Sequence, residues 1–390
     1  MGTAPMIVVA PDSFKGSLPA ARVAAVVADE LRAALPDEQV IERPIADGGE
    51  GTVDVALSAG MTAVEARVVG PLGDPLWARY ALADGVAMIE MAAAAGLTVL
   101  PDGPTATSAL AASTTGVGEL IADAVRAGAT RVVVGLGGSA TTDGGAGMAA
   151  ALGARFVTAN GTPLEPGGAG LASIESVDLA PMVATLAGVD VILAIDVDNP
   201  LTGPEGAAAT YGPQKGAGPL GVAALDRGLA RWAEVVAQAT GFDGRRQAGL
   251  GAAGGTGLPL VAAGCARIES GIDVVMELSD VRKVMSQADL VVVGEGSLDE
   301  QSLRGKGPVA AAQLAQSAGS AVVAVVGRTD LGPDALVRAG ITQVYALTDI
   351  EPDLDRCIRD PEPILRALAA RLAADTSDTL SRALANRSDS

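Results

Sequence analysis

The fold of this chain is restricted by short runs of β-branched and other apolar residues that alternate with helical patterns. The runs cover residues 7–10, 40–45, 131–136, 290–293, 321–326 and 343–347. Fully apolar runs of this length are typical of strands buried on both faces of a parallel sheet. Helical patterns lie between them, the first carrying Val23, Val27 and Leu31 behind Ser17 as its predicted N-cap. The alternation predicts an α/β fold built on a doubly wound, mostly parallel sheet.

Two stretches interrupt the alternation and predict a second α/β domain inserted into the first. Residues 64–104 have the pattern of an antiparallel meander, and residues 151–284 are rich in loops. A length of 390 residues favours two or three domains of about 150 residues each. The predicted first domain is discontinuous and comprises residues 1–63, 105–150 and 285–390, whereas the inserted domain comprises residues 64–104 and 151–284. Ligands of doubly wound sheets bind at the carboxyl ends of the strands, so we expect the site at that edge of the sheet.

Charge and aromatic content exclude several kinds of partner. The chain has 27 basic and 46 acidic residues, a formal net charge of −19, and only 2% aromatic residues. Such a surface repels polyanions, and so few aromatic rings supply neither stacking platforms for bases nor an interfacial membrane belt. We therefore expect no nucleic-acid partner, no membrane association and a cytoplasmic location.

The residue types missing from the chain restrict its chemistry further. The sequence contains no histidine, which excludes the Ser-His-Asp triad, the Cys-His dyad and histidine metal sites. The two cysteines, Cys265 and Cys357, lack the CxxC spacing of a metal site or redox pair. Acid-base chemistry must therefore use Asp, Glu, Lys, Tyr or Cys.

Glycine-rich loops follow three of the predicted strands, at residues 47–52, 135–147 and 294–296. Glycine lets backbone N–H groups approach an anion closely, and a following helix N-terminus adds roughly half a positive charge. Tight strand-to-helix turns explain any single loop equally well, but three together favour phosphate binding. The GxGxxG sequence at residues 249–254 follows a polar segment rather than a strand, so we interpret it as a chance match.

Lysine placement points to the same chemistry, because arginine is the usual cation of this chain. Of the four lysines, Lys15, Lys215 and Lys306 lie in loops that contain glycine or proline, whereas Lys283 has the pattern of a helix surface. A lysine ammonium is a compact point charge suited to a transferring phosphate. An isolated loop lysine can also be a solvated surface residue, so the grouping matters more than any single position.

Acidic residues occur in the same loops, at Asp12, Asp47, Glu50, Asp143, Asp196, Asp198, Glu295 and Asp299. An isolated loop Asp is often only a helix cap or an Asx turn, and this alternative stays open for Asp12, Asp143 and Asp299. Asp196 and Asp198 follow the apolar residues 191–195, and strand alternation would aim both side chains to one face. Carboxylates beside lysines and glycine loops are the components of phosphoryl transfer, in which acids hold Mg²⁺ or take the acceptor proton and lysines neutralise phosphate.

Six sequence motifs follow one another along the chain. They are APDSFKGS at residues 10–17, IADGGEGT at 45–52, GLGGSATTDGGAG at 135–147, DVDNPL at 196–201, YGPQKGA at 211–217, and GEGSLDEQ at 294–301 with Gly305 and Lys306. Together they resemble the bacterial type I glycerate kinase family over nearly the whole chain. Thr142, Thr202 and Ser302 depart from residues common in that family. The resemblance implies ATP-dependent phosphorylation of D-glycerate, usually at the 2-hydroxyl, by a two-domain α/β protein with its active site in the cleft between the domains.

The residues and the resemblance together give a hypothesis for each part of the site. The predicted catalytic residues are Asp196, which orients the acceptor hydroxyl, Asp47 as second choice for that role, and Lys15 and Lys306, which contact phosphate or the substrate carboxylate. The predicted substrate contacts are Asp12, Ser13 and Asn199, and the predicted Mg²⁺ ligands are Glu295 and Asp299. The predicted ATP contacts are Gly137, Gly138, Ser139 and Asp143 of the first domain, which is predicted to be a Rossmann-like nucleotide-binding domain, and Lys215 of the inserted domain.

Other functions stay open at this stage. Phosphorylation at the 3-hydroxyl uses the same parts, and a non-catalytic sensor of hydroxy acids or nucleotides would share the binding loops. A nicotinamide-linked oxidoreductase would use a similar sheet, but the GxGxxG sequence lacks its strand and no histidine handles the hydroxyl proton. The expected partners are D-glycerate and ATP, with the protein a monomer or a homodimer.

Overall fold

The computed structural model describes residues 4–159, 161–304 and 307–388. Within those residues, numbered in chain order, the strands are β1 Met6–Pro11, β2 Gln39–Glu42, β3 Thr62–Val69, β4 Pro75–Ala83, β5 Val86–Glu90, β6 Arg131–Gly135, β7 Arg155–Thr158, β8 Ile174–Asp178, β9 Asp190–Ile195, β10 Ala266–Ser270, β11 Leu290–Leu298, β12 Ala321–Thr329 and β13 Gln343–Ala346.

The α-helices of the same residues are α1 Ala20–Ala34, α2 Thr52–Ser58, α3 Ala92–Ala95, α4 Ala106–Ala111, α5 Thr115–Arg126, α6 Ala146–Ala151, α7 Ala180–Thr185, α8 Ala207–Tyr211, α9 Pro219–Thr240, α10 Leu258–Ala262, α11 Gly271–Leu278, α12 Val281–Met285, α13 Gly307–Ser317, α14 Pro333–Arg338, α15 Leu354–Arg359 and α16 Pro361–Ser388. No helix in these ranges combines the length and the apolarity that crossing a bilayer requires.

The chain divides into two compact units. The first unit contains the chain up to Asp47, Asp54–Ala59 and the chain from Ile272 onward, and the second contains Gly48–Val53 and Gly60–Gly271. This division differs from the predicted one, because residues 105–150 belong to the second unit rather than to the first. The reason is strand pairing: β6 is hydrogen-bonded between β5 and β9 and shares no ladder with β1 or β11. Residues 272–284 likewise move to the first unit.

The described residues of the first unit form a five-stranded parallel sheet with strand order β13-β12-β11-β1-β2. Alternate residues of β1 enter the two layers of core. Ile7 and Val9 pack with apolar residues of α1 and α16, whereas Val8 and Ala10 pack with apolar residues of α12 and α13. The sheet is therefore buried on both faces, as its apolar runs predicted. This confirms the doubly wound, mostly parallel α/β class.

The start of α1 differs from the prediction. The helix begins at Ala20 after Pro19, and no side chain caps it. Ser17 lies too far upstream to bond the first turn, and its hydroxyl instead donates to the carbonyl oxygen of Ile358 at 3.0 Å. The Ser17 side chain therefore ties the loop after β1 to α15.

The described residues of the second unit form a six-stranded sheet with strand order β10-β9-β6-β5-β4-β3. Strands β5, β6, β9 and β10 pair in parallel. Strands β3, β4 and β5 pair antiparallel, which confirms the meander predicted over residues 64–104. Strands β7 and β8 form a separate antiparallel pair.

Candidate active site

A cavity of about 450 Å³ opens at the carboxyl ends of the strands in the first unit. Asp12 follows β1, Glu295 lies in the last part of β11, Arg328 lies near the end of β12, and Leu347 follows β13. This edge of a parallel sheet is where doubly wound proteins bind their ligands. The predicted site residues on the described cavity wall are Asp12, Ser13, Lys15, Asp47, Glu295 and Asp299.

Backbone contacts bring these loops together. The N–H of Ile45 donates to the carbonyl oxygen of Pro11 at 2.9 Å, which extends the pairing beyond β2 and places Asp47 at the loop after β1. Glycines permit the other close approaches. A Cβ on Gly296 would lie 3.3 Å from Cα of Phe14, and one on Gly327 would lie 2.3 Å from the carbonyl oxygen of Gly296. Larger residues at these two positions would separate the strands that form the cavity.

Asp12 has a strongly perturbed carboxyl group. Its side chain is only 5% exposed. Burial raises the pKa of Asp12 to about 7, and the negative charges of Asp47 and Glu295 act in the same direction against the opposing effects of the Ser13 N–H and Lys15. The Ser13 N–H donates to Oδ1 of Asp12 at 2.6 Å. A carboxylate with a pKa near neutrality is suited to accept a proton from a substrate hydroxyl.

Lys15 supplies a cation at the same place. Its Nζ lies 3.0 Å from Oδ2 of Asp47, and the Lys15 side chain is 70% exposed. Desolvation lowers the pKa of Lys15, but the carboxylates of Asp47, Asp12 and Glu295 raise it by more, so its pKa lies above the ordinary value. An ion pair this exposed contributes little to stability. Because its pKa is raised and its side chain is exposed, the Lys15 ammonium stays charged and accessible to an anion in the cavity.

The predicted Mg²⁺ ligands also lie on the cavity wall. Asp299 Oδ1 accepts the Gln301 N–H at 2.8 Å, so the Asx turn considered from the sequence is present. Among the described residues, no group of three or more His, Cys, Asp or Glu side chains is arranged to hold a metal alone. Magnesium in phosphoryl-transfer sites is usually held by one or two carboxylates together with phosphate oxygens and water. Glu295 and Asp299 therefore fit a Mg²⁺ ion whose remaining ligands are phosphate oxygens and water.

Several residues of the wall were missed by the sequence reasoning, among them two polar residues and a cysteine. Arg328 is a second cation, with its side chain 45% exposed, and its position just after a predicted strand could have identified it. Ser297 carries a buried hydroxyl without a hydrogen-bond partner in the described residues, and it lies inside the motif at residues 294–301. Cys357 is buried and lines the wall, but nothing in the local sequence marks it. Lys306 lies outside the described residues.

The glycine loop predicted to bind ATP lies in the second unit, where protein backbone already occupies the space that its glycines leave. A Cβ on Gly135 would lie 2.3 Å from the carbonyl oxygen of Gly48, and one on Gly137 would lie 2.4 Å from Cα of Gly49. Gly138 has a φ of +70°, and its carbonyl oxygen accepts the Leu97 N–H at 3.0 Å. Close packing and a turn therefore account for these glycines without a phosphate.

The polar residues of this loop form an internal network. Asp143 is 1% exposed and accepts hydrogen bonds from the Thr114 N–H at 2.8 Å, the Gly145 N–H at 3.1 Å and the Gly147 N–H at 3.2 Å. Lys215 is also 1% exposed, and its Nζ donates to Ser139 Oγ at 2.8 Å and to the Thr141 carbonyl oxygen at 2.5 Å.

Burial sets the electrostatics of both groups in this network. Burial lowers the pKa of Lys215 to about 7, against the raising effect of Asp143. Burial raises the pKa of Asp143, against the hydrogen bonds it accepts from Thr114, Gly145 and Gly147. The hydrogen bonds of Asp143 and Lys215 therefore stabilise the conformation of the loop at residues 135–147.

Asp196 and Asn199 follow β9 in the second unit. Asp196 is exposed, and its Oδ1 accepts the Gly271 N–H at 3.1 Å. Asn199 donates through Nδ2 to the carbonyl oxygen of Glu205 at 2.8 Å and accepts the Tyr211 hydroxyl at 2.6 Å. The described lining of the first-unit cavity contains neither residue.

Comparisons with known proteins agree with this fold. Residues 7–377 match the Glycerate kinase family. A protein of Bacillus subtilis (strain 168) named glycerate kinase is 38% identical over 94% of this chain and 97% of its own length. A protein of Escherichia coli (strain K12) named glycerate 2-kinase is 39% identical over 94% of this chain and 98% of its own length. The crystal structure of a candidate glycerate kinase 2 from Salmonella typhimurium LT2 superposes with a TM-score of 0.82 at 38% identity, covering 97% of this chain and all of that one.

The family match and the similarity to a solved structure over 97% of the chain identify the protein as an enzyme of the phosphotransferase class that acts on an alcohol group. More particularly, the chain belongs to the glycerate kinase family.

Proposed function

We propose that this protein transfers the terminal phosphoryl group of ATP to the 2-hydroxyl of D-glycerate, giving 2-phosphoglycerate and ADP, as a member of the type I branch of its family. The single observation that supports this most is the first-unit cavity, in which buried Asp12 and the Lys15 ammonium share one wall. The motifs at residues 10–17, 45–52 and 294–301 supply that wall. A relative named glycerate 2-kinase supports the choice of hydroxyl.

In this proposal, Asp12 orients the acceptor hydroxyl and accepts its proton. Its raised pKa allows it to gain a proton near neutral pH, which an ordinary aspartate does poorly. Asp47 pairs with Lys15 at 3.0 Å and so holds the ammonium in place. The sequence favoured Asp196 for the acceptor role. We move that role to Asp12 because Asp12 is buried in the wall of the first-unit cavity, which it shares with Lys15.

Charge stabilisation is the other requirement of phosphoryl transfer. The transition state is loose, and its charge lies mainly on the phosphoryl oxygens, so positioned cations lower the barrier. Lys15 and Arg328 are the cations on the described part of the cavity wall. Lys15 contacts the transferring phosphate or the glycerate carboxylate, and Ser13 lies beside it for the remaining oxygens of the substrate.

Magnesium is part of the proposal. Glu295 and Asp299 are the residues that would hold it, and they line the same cavity as Asp12. When bound, Mg²⁺ neutralises phosphate charge and polarises the phosphoryl group. A cation at this place would also offset the negative charges of Asp47 and Glu295, which raise the pKa of Asp12.

A turnover assay with ATP, Mg²⁺ and D-glycerate tests this proposal. We expect ADP release only when D-glycerate is present, and we expect at least a 100-fold loss of rate in excess chelator, restored by added Mg²⁺. Full turnover in the chelator would remove the metal from the proposal. Binding of ATP and glycerate without any ADP release would favour the sensor instead, and NADH oxidation in place of ADP release would favour the oxidoreductase.

A further inference from the structure

The first-unit cavity has an apolar part that phosphoryl transfer to a small anion does not use. Leu347 lies after β13, and Leu354, Cys357 and Ile358 belong to α15. Leu354 and Ile358 are four residues apart on one face of this helix and remain 40% and 46% exposed. Large apolar side chains left exposed inside a concave site are typical of ligand pockets. Glycerate is too small and too polar to cover them.

The cavity wall has a charged part and an apolar part. Asp12 and Lys15 follow β1, Glu295 belongs to β11, and Arg328 belongs to β12. The apolar part lies beside the loop after β1, because Ser17 of that loop contacts the carbonyl oxygen of Ile358. A nucleoside triphosphate has a flat apolar base and anionic phosphates, so it offers groups for both parts of the wall.

We propose that the apolar patch formed by Leu347, Leu354, Cys357 and Ile358 binds the purine base of the nucleotide. This inference rests on the proposed function and assigns the ATP contacts to the first unit rather than to the glycine loop at residues 135–147. In that loop, protein backbone occupies the space beside Gly135 and Gly137, and the polar groups of Asp143 and Lys215 bond within the protein.

Two features support the binding of the base and the phosphates in the same cavity. The Ser17 hydroxyl donates to the Ile358 carbonyl oxygen at 3.0 Å, so the helix that carries the patch is tied to the loop that carries Lys15. Pro308, in the first turn of the eleven-residue helix α13, also lines the cavity. The N-terminus of that helix adds partial positive charge at the phosphate end. Base stacking on the patch would bury the exposed parts of Leu354 and Ile358.

The double variant Leu354→Ser, Ile358→Ser tests the base site. We expect the KM for ATP to rise by about 10- to 50-fold, because two apolar contacts with the base are lost, while the KM for D-glycerate stays within about twofold. Val337→Ser is the matched control, since Val337 is a 68% exposed residue of α14 in the same unit and lies outside the cavity lining. Inorganic triphosphate carries no base, so its inhibition constant against ATP should be the same in all three proteins.

An unchanged KM for ATP in the double variant, with normal turnover, would overturn the base site and leave the proposed function intact. Failure of ATP to support any turnover in the unmodified protein would instead overturn the proposed function itself. Photolabelling with 8-azido-ATP gives a second, activity-independent readout. We expect the label on the segment 347–358, protected by ATP but not by inorganic triphosphate. Label on residues 135–147 would place the base at the glycine loop and contradict the inference.

Discussion

Replacing Asp12 with Asn is expected to lower kcat for glycerate phosphorylation by about 10²- to 10⁴-fold, the range typical of a lost general base. Asparagine keeps the size of the side chain and can still accept the Ser13 N–H, so the loop after β1 should keep its shape. The variant cannot take the proton of the acceptor hydroxyl. Steady-state kinetics with D-glycerate and ATP, together with a thermal unfolding curve, measure both parts of the expectation.

The pH profile of the unmodified protein should report the same group. Asp12 must be deprotonated to accept a proton, and its pKa is raised to about 7 by burial and by its acidic neighbours. Activity is therefore expected to fall as the pH drops through about 7, and Asp12→Asn should lose this dependence. Asp29→Asn is the control, because Asp29 is an exposed acid of α1 in the same unit. An Asp12→Asn variant with the kcat and pH profile of the control would remove Asp12 from the chemistry.

Replacing Lys15 with Ala is expected to lower kcat/KM by about 10²- to 10³-fold, the usual effect of removing one donor that stabilises transition-state charge. The loss should be catalytic rather than structural, since the Lys15 side chain is 70% exposed and its pair with Asp47 is solvated. Arginine at this position should restore only part of the activity, because its planar fork does not replace a point charge.

Lys283→Ala is the matched control for Lys15→Ala. Lys283 is an exposed residue of α12 in the first unit and does not line the cavity described there. We expect its kinetics to equal those of the unmodified protein within about twofold. Equal kinetics for the two alanine variants would refute the role given to Lys15, and a lowered melting temperature of Lys15→Ala alone would show a structural contribution.

Local sequence pattern was sufficient for the strands of the first sheet and for the class of fold, but not for β7, β8 and β10, which lie in a stretch that the sequence marked only as rich in loops. The run at residues 290–293 is apolar on both faces because β11 is covered by helices on both sides, and such a run has few other interpretations. The division into units could not be predicted in the same way. Residues 131–136 have the pattern of any buried strand, and only hydrogen bonding of β6 to β5 and β9 places them in the second sheet.

Residues of the candidate site could be predicted where a sequence motif lies at the end of a predicted strand. They could not be predicted where one residue type, such as glycine, serves either phosphate binding or close packing. Asp12, Lys15 and Glu295 follow or end parallel strands, and the structure brings them to one cavity. Gly137 has the sequence signature of a phosphate loop, yet its missing side chain makes room for Gly49. The apolar patch could not be predicted from the sequence, because Leu354 and Ile358 have the ordinary spacing of an amphipathic helix. Their exposure is visible only in three dimensions.

Phosphorus-31 NMR of the product formed from D-glycerate and ATP with Mg²⁺ tests the proposed reaction most directly. Phosphorylation of the 2-hydroxyl places the phosphorus beside a carbon with one hydrogen, so the proton-coupled signal of the new monoester should be a doublet. We expect that doublet to grow in step with ADP and to be absent with the Asp12→Asn protein over the same time. A triplet, which two neighbouring hydrogens would give, would show transfer to the 3-hydroxyl, and no new monoester signal would contradict the assignment of the reaction altogether.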